Sequence, residues 1–518
     1  MIGHDAMSTK INRRDALRLS GAASMGSFGL WAGRSVAAWD PANPPPGLAE
    51  TNTLFKSLAP FRLGEPVAMD EMRVTFMGTS PLERKAQMAT SVFVELGNGD
   101  SFVFDAGMGC QVNYTAMQVP ASKMRRIFLT HLHGDHTSDL TYIYAFGPQR
   151  DGKSPLYLWG PSRSYVRNPW FGKREYPEEP EYFDDGMIEF AKHFREMNRW
   201  HPASQSFVGT RWVGAEGDGY DIFATELNWA TGLDPVYWSN NAELRSNFSH
   251  AWKSTTRWVA YEANGVRISF FPAVHDRNGS VSYKLEWNGM SLIFSGDTKP
   301  NSFMLNALTE GSAGVDLLIH ETVIPAEVWA SLATGGGTPS PDSLLVSRTV
   351  QENSHTPEPA LGYILAQAQN ANKPPRLVVA THFQATDSTI RPALAAIRSK
   401  YAGPVSIATD LMVVNVSRSR ILQRRAVVSD YSPTPPIVDK RAPYSYTPKY
   451  NDPRTDPNLN PYAPYGPLEQ FSPFLTDSVL PACSWDPTGF QCTHPYSAYD
   501  PPPNPPGVGA SRLKSSRN

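Results

Sequence analysis

The 518 residues, 41% hydrophobic and 19% charged, suffice for one large globular domain or two smaller ones. A formal net charge of −2 gives no overall basic surface for nucleic acid or an anionic membrane, although it leaves room for a local basic groove. Three cysteines, Cys110, Cys483 and Cys492, exclude a Cys-x-x-Cys metal ribbon. Cys483 and Cys492 lie close enough in sequence either to close a disulfide in an oxidising compartment or to stay as free thiols.

The chain opens on Asn12-Arg13-Arg14-Asp15-Ala16-Leu17-Arg18, then an apolar small-residue run from Leu19 to Ala32 and the small residues Ser35-Val36-Ala37-Ala38. A charged start, a short apolar stretch and an Ala-rich end read as a signal peptide cut after Ala38, too short to span a membrane. The Arg pair resembles a twin-arginine address, which implies a bacterial periplasmic or secreted protein handled by the twin-arginine export machinery. Residues 39–70 form a leader, Pro-rich at its start. Strand patterns follow at Met72–Met77, Ser91–Leu96, Ser101–Phe104, Arg126–Leu129 and Leu156–Trp159, several of them closed by Gly turns. From about 161 to 258 no period is clear. That stretch holds Trp170, Trp200, Trp212, Trp229, Trp238, Trp252 and Trp258 and the acidic runs Glu178-Glu179-Pro180-Glu181 and Asp184-Asp185. It reads as an aromatic-rich insertion that either shapes a site or merely elaborates the fold.

Strands return at Val266–Phe271, Val281–Trp287, Ser291–Phe294 and Leu317–Ile319. Helix Glu358–Ala371 precedes strand Arg376–Ala380, and helix Ile390–Tyr401 precedes strand Val405–Ala408. Short strands with Gly turns followed by helices imply a layered α+β or α/β domain over 71–425. Residues 426–518 are a Pro-rich tail that cannot build its own core and should be extended.

The sharpest chemical signal is Thr130-His131-Leu132-His133-Gly134-Asp135-His136. His131 and His133 are two apart, so an extended backbone points both the same way. Asp135 and His136 follow a glycine, where the chain can turn and present a second ligand pair. Imidazole nitrogen and carboxylate oxygen suit Zn²⁺, with Mn²⁺ or Fe²⁺ as alternatives, and the spacing serves two neighbouring ions better than one.

This His-x-His-x-Asp-His signature resembles that of the metallo-β-lactamase superfamily. The chain is most similar to its ribonuclease Z branch, which includes tRNA 3′-end nucleases and a type of exported arylsulfatase. Further resemblances, in the branch's order, are Thr75-Phe76-Met77-Gly78-Thr79, Phe104-Asp105-Ala106-Gly107-Met108-Gly109, Leu158-Trp159-Gly160-Pro161, Ser295-Gly296-Asp297-Thr298, Leu318-Ile319-His320-Glu321-Thr322, Ser354-His355-Thr356 and Thr381-His382-Phe383. The resemblance covers about residues 72–410 and implies a four-layer αββα sandwich binding two divalent metal ions. It also implies roles. His131, His133 and His275 would hold one ion; Asp135, His136 and His382 the other; Asp297 would bridge them. Asp135 would also take a proton from the nucleophile, and His355 would donate one or stabilise an oxyanion. Asp105, His320 and Glu321 would brace the metal loops.

Three functions compete. The first is an exported hydrolase of small esters, aryl sulfates or phosphodiesters, in which two cations acidify a bridging water. Export, the net charge and the aromatic insertion favour it, and make nucleic acid an unsuited partner. The second is a tRNA 3′-processing endoribonuclease. The third is a metallo-hydrolase dedicated to a secondary-metabolite pathway of the guanitoxin type, or a binding protein that kept the fold. A homo-oligomer is compatible with all three.

Overall fold

The computed structural model describes residues 58–151, 156–164, 166–201, 222–228 and 258–435, and the backbone of segments 483–486 and 489–492. The signal-like start, most of the leader, Trp212, Trp229, Trp238 and Trp252, and most of the tail lie outside the described residues. Among the described residues, no helix is long and apolar enough to cross a membrane.

Two mixed sheets face each other. The first contains β1 (Ala59–Arg62), β2 (Met72–Gly78), β3 (Ser91–Leu96), β4 (Ser101–Phe104), β5 (Arg126–Phe128), β6 (Leu156–Pro161) and β7 (Ile222–Leu227). The second contains β8 (Val259–Ala263), β9 (Val266–Pro272), β10 (Val281–Trp287), β11 (Met290–Phe294), β12 (Leu317–Glu321), β13 (Leu377–Thr381) and β14 (Val405–Ile407). The chain then returns to the first sheet as β15 (Met412–Val416) and β16 (Ile421–Val427), giving the order β1-β16-β15-β2-β3-β4-β5-β6-β7; the second sheet runs β14 to β8 in sequence. The helices are α1 (Cys110–Ala116), α2 (Gly134–Thr137), α3 (Leu140–Asp151), α4 (Met187–Asn198), α5 (Ser302–Thr309), α6 (Ala326–Ala333), α7 (Pro341–Ser354), α8 (Glu358–Asn370) and α9 (Asp387–Arg398). Helices packed on the outer sides of the two sheets make the α/β, four-layer αββα metallo-β-lactamase sandwich expected from the sequence.

Burial explains why the strands were legible. β2, β12 and β13 are buried at every position; β13 reads as a nearly continuous apolar run, whereas β2 alternates through Arg73 and Thr75 and β12 ends on His320 and Glu321. Aromatic rings join the sheets: Phe104 of the first lies 5.7 Å from Tyr283 and 5.8 Å from Phe294 of the second. Two bonds tie the second sheet to the histidine loop, Tyr283 Oη to the Leu129 carbonyl at 2.6 Å and Val281 N to the Thr130 carbonyl at 2.9 Å. The sandwich thus fixes the start of the site as well as the core.

Three expected boundaries move. β1 lies inside the 39–70 leader and pairs in parallel with β16; its Pro60 and single buried residue suit an edge strand and hide it from a periodicity reading. The stretch 161–258 contains α4 and β7, and β7 extends the first sheet in parallel with β6. The α4 pattern is regular, burying Met187, Ala191, Phe194 and Asn198 at helical spacing. The domain also runs past 425, where Gln118 Nε2 donates to the Pro433 carbonyl at 2.6 Å. Of the tail beyond 435, the hairpin β17 (Cys483–Asp486) and β18 (Gly489–Cys492) is described, with Cys483 in register with Cys492.

Beneath the site, Asp410 holds the loop after β2. Its carboxylate accepts from Thr79 Oγ1, Met88 N and Asn113 Nδ2, each at 2.7 Å. Burial outweighs these donors and the nearby Arg84 charge and raises its pKa to about 7. The raised value means that Asp410 favours the fold fully below about pH 4, the unfolded value, and loses that contribution as pH rises through about 7. Asp410→Asn should flatten this part of the curve, shifting the slope of melting temperature between pH 5 and 8 by on the order of a few degrees. Parallel slopes for the two proteins in thermal melts would contradict it.

Candidate metal centre

The site sits where β5, β11, β12 and β13, all members of parallel pairs, reach their C-terminal ends. After β5 the chain stays extended through His133, which has φ −69° and ψ 155°, then turns into α2. Asp105 anchors this loop from behind. Fully buried at φ +58°, it accepts from Thr130 N and Oγ1 at 2.8 Å and from His136 Nδ1 at 2.7 Å. That bond leaves His136 Nε2 facing the centre. Two glycines allow the close packing. A Cβ on Gly107 would lie 2.0 Å from the Asp135 carbonyl oxygen, and one on Gly296, at φ +56°, would lie 2.4 Å from Thr130 Cβ.

The structure brings together every residue assigned above to the metal ions. His131 Nε2 is 3.1 Å and His275 Nε2 3.3 Å from His133 Nδ1. Asp135 Oδ2 is 3.3 Å from His136 Nε2 and 3.2 Å from His382 Nε2. Asp297 Oδ2 lies between the two groups, 3.4 Å from His136, 3.3 Å from His382, 3.9 Å from His131 and 3.8 Å from His275. His275 Nδ1 bonds the Ser354 carbonyl at 2.8 Å, which directs Nε2 inward.

This donor set fits divalent ions. A tetrahedral zinc ion with bonds of about 2.0–2.1 Å separates its ligands by about 3.3 Å, close to the separations within each group. Among the described residues, His136 Nε2 and Asp297 Oδ1 are buried and have no hydrogen-bond partner, a costly state unless something else satisfies them. Burial first, then the neighbouring imidazoles of His136 and His275, hold His131 well below the ordinary imidazole pKa. Burial and His275 lower that of His133. Both are therefore neutral donors at pH 7. Burial opposes ionisation of Asp135 and Asp297, but the surrounding imidazoles outweigh it and hold both carboxyls well below the usual range.

His355 is placed by the end of α7, for which it is the C-cap residue. Its Nδ1 is 3.2 Å from Glu321 Oε1 and 3.9 Å from Asp297 Oδ2. Burial works against its charge, but the Glu321 and Asp297 carboxylates outweigh it and raise the pKa to about 9. Glu321 also accepts from Thr298 N at 2.9 Å and Thr356 N at 3.2 Å. It thus joins the β11 loop to the end of α7. His320 is fully buried, and its Nδ1 lies 2.6 Å from the Glu321 carbonyl oxygen. It falls in none of the groups of converging ligand atoms. His355 falls in two of them, one with His275 and Asp297, the other with Glu321 and His382.

Residues of the 161–258 stretch, expected from the sequence either to shape a site or merely to elaborate the fold, bound the space in front of this cluster, although none of them was named as a site residue. A cavity of about 640 Å³ opens from His131, His133 and His275 and is bounded by Ser162, Ser164 and residues of α4. Arg277 lines it, with Nη1 2.6 Å from Asp185 Oδ2 and 3.1 Å from Ser164 Oγ. Asp185 stood out only as part of an acidic run. The helical spacing of α4 was its one available signal.

Residues 84–158, which include the histidine motif, match the family model of the metallo-beta-lactamase superfamily. With the fold, this match indicates a metal-dependent hydrolase with the metallo-β-lactamase fold. Among curated relatives, a ribonuclease Z of Pyrococcus horikoshii is 24% identical over 258 residues, covering 48% of this chain and 74% of that protein. Zinc phosphodiesterase ELAC protein 1 of Bos taurus is 33% identical over 94 residues, covering 17% of this chain and 26% of that one. Of solved structures, the metallo-beta-lactamase fold protein YhfI of Bacillus subtilis aligns over 67% of this chain and all of its own, at 14% identity and a TM-score of 0.41.

Proposed function

We propose that the protein is a two-metal phosphodiester hydrolase acting on small esters. The observation that carries this reading is the position of Asp297 Oδ2, within 3.9 Å of imidazoles from both ligand groups. His131, His133 and His275 would hold one ion, Asp135, His136 and His382 the other, and Asp297 both. Bound there, two divalent ions would supply Lewis acidity for the ester oxygens and acidify water. Relatives named ribonuclease Z and zinc phosphodiesterase favour phosphorus over sulfur as the attacked atom.

The protein's own groups then move the protons. Water adds to phosphorus and gives a proton to Asp135, whose side chain is 25% exposed and can pass it to solvent. The bond from phosphorus to the leaving oxygen breaks, and His355, oriented by Glu321, protonates that oxygen. His355→Ala should lower kcat by roughly 10²–10⁴-fold, the usual worth of acid–base assistance, with metal content unchanged. Loss of metal from that variant would make His355 a ligand instead.

Hydrolysis of an aryl phosphodiester, an aryl sulfate and an RNA with a 3′ trailer, each by metal-loaded, chelated and Asp135→Ala protein, tests the reading. It requires a chelator-sensitive, Asp135-dependent rate on the small diester. A rate on the sulfate alone would overturn it, and a rate on the RNA alone would install the endoribonuclease reading that the relatives' names support. Export along the twin-arginine route, proposed from Arg13 and Arg14, is checked by fractionating cells that carry an Arg-to-Lys pair variant.

A further inference from the structure

The cavity in front of the imidazole cluster has two unlike walls. His131, His133 and His275 form one; α4 forms the other and turns Phe190, Phe194 and Met197 toward the same space. The Phe190 and Phe194 rings are 15° from parallel with centroids 5.9 Å apart. Phe194 is buried and held edge-on by Tyr144 at 5.4 Å, whereas Met197 is 70% exposed. This is a fixed aromatic surface beside an adaptable thioether, a pairing suited to a planar apolar group. Metal-assisted ester hydrolysis by itself requires no such wall.

Among the described residues, the polar end of the cavity carries no unmatched cation. Arg277 is the Lys or Arg residue among the cavity's lining, and Asp185 and Ser164 already engage its guanidinium. A second anionic group on the substrate would therefore find little to hold it. The volume, about 640 Å³, lies within the range of roughly 300–1,000 Å³ usual for small-molecule sites and takes one ring system with a phosphoryl head.

We propose that α4 is a ring-binding subsite. The ester carries a planar aromatic substituent that seats against Phe190, Phe194 and Met197 while its charged head faces the imidazoles. The inference rests on the phosphodiester reading only for the identity of that head.

Calorimetric titration of the zinc-loaded full chain with phenylphosphonate and methylphosphonate isolates the ring's contribution. Benzenesulfonate and methanesulfonate repeat the comparison with the other head group. The phenyl ligand should bind at least about tenfold tighter than the methyl one, the yield of burying part of a ring's apolar surface. Phe190→Ala combined with Met197→Ser should bring that ratio to within about threefold of one. Zinc content and methylphosphonate affinity should not change. Phe194 is left intact because it belongs to the core. A wild-type ratio near one, or a ratio that survives the double substitution, overturns the subsite. The two readings fail separately. Ring preference with sulfonates and no diester turnover removes the phosphodiester reading and keeps the subsite; diester turnover without ring preference does the reverse.

Discussion

If the centre holds two ions as proposed, Asp297→Ala is expected to abolish turnover and to lower bound metal to one ion per chain or none. The carboxylate ends the β11 loop at 3% exposure with five imidazoles, that of His355 included, within 3.9 Å of its Oδ2. No other carboxylate among the described residues reaches both ligand groups. Charge stabilisation by a metal ion is worth several kcal/mol in the transition state, so its loss should lower kcat/KM by on the order of 10³-fold or more. Elemental analysis of the purified variant, with circular dichroism to verify the fold, decides the matter. Two retained ions with activity within tenfold of the parent would remove Asp297 from the centre.

Asp105→Ala should act from behind the site, through the fold as well as the chemistry. Its carboxylate satisfies Thr130 N, Thr130 Oγ1 and His136 Nδ1 at once, and both Thr130 and His136 are buried. Breaking one partner of a buried charged pair costs about 3–5 kcal/mol. Alanine also inherits a backbone at φ +58°, a region that aspartate tolerates better. With His136 no longer fixed, metal affinity should fall by roughly 10–100-fold. Denaturant unfolding and competitive zinc titration measure the two effects independently. An unfolding midpoint unchanged from the parent would show that the loop is braced elsewhere. Asp105→Asn separates the contributions further, since it keeps the volume and an acceptor but not the charge.

The two predictions rest on residues that the sequence made legible for different reasons. The His131–His136 motif is local, so its geometry follows from a strand end, a glycine and a short helix. Strands such as Val281–Trp287 have the same limits in sequence and structure because Val281, Tyr283, Leu285 and Trp287 alternate with Ser282, Lys284 and Glu286, a clear period of two. His275 and His382 carried no signal alone; they were placed by resemblance, and the sheet register brings them to the same mouth. The engagement of Glu321 with His355 could not be read, because it depends on where α7 ends relative to β12, 34 residues apart. β1 escaped because an edge strand with Pro60 buries only Phe61. The α4 wall escaped because its buried positions, spaced by four, three and four residues, lie beside acidic runs in a stretch without a clear overall period.

The placement of β15 has a consequence for how the chain is made. β2 pairs on one side with β3, which follows directly, and on the other with β15, whose partner residues lie near 413–416. During synthesis at about 5–20 residues per second, that edge of β2 waits on the order of tens of seconds for its partner. A long-unpaired, fully buried strand is a template for wrong pairing, and closure across such a separation is slow even after release. The sandwich therefore completes late, and a chaperone that shields β2 should raise the yield of active protein more than one that accelerates any local step. The candidate ligands share this schedule, because His382 lies on the far side of the same delay.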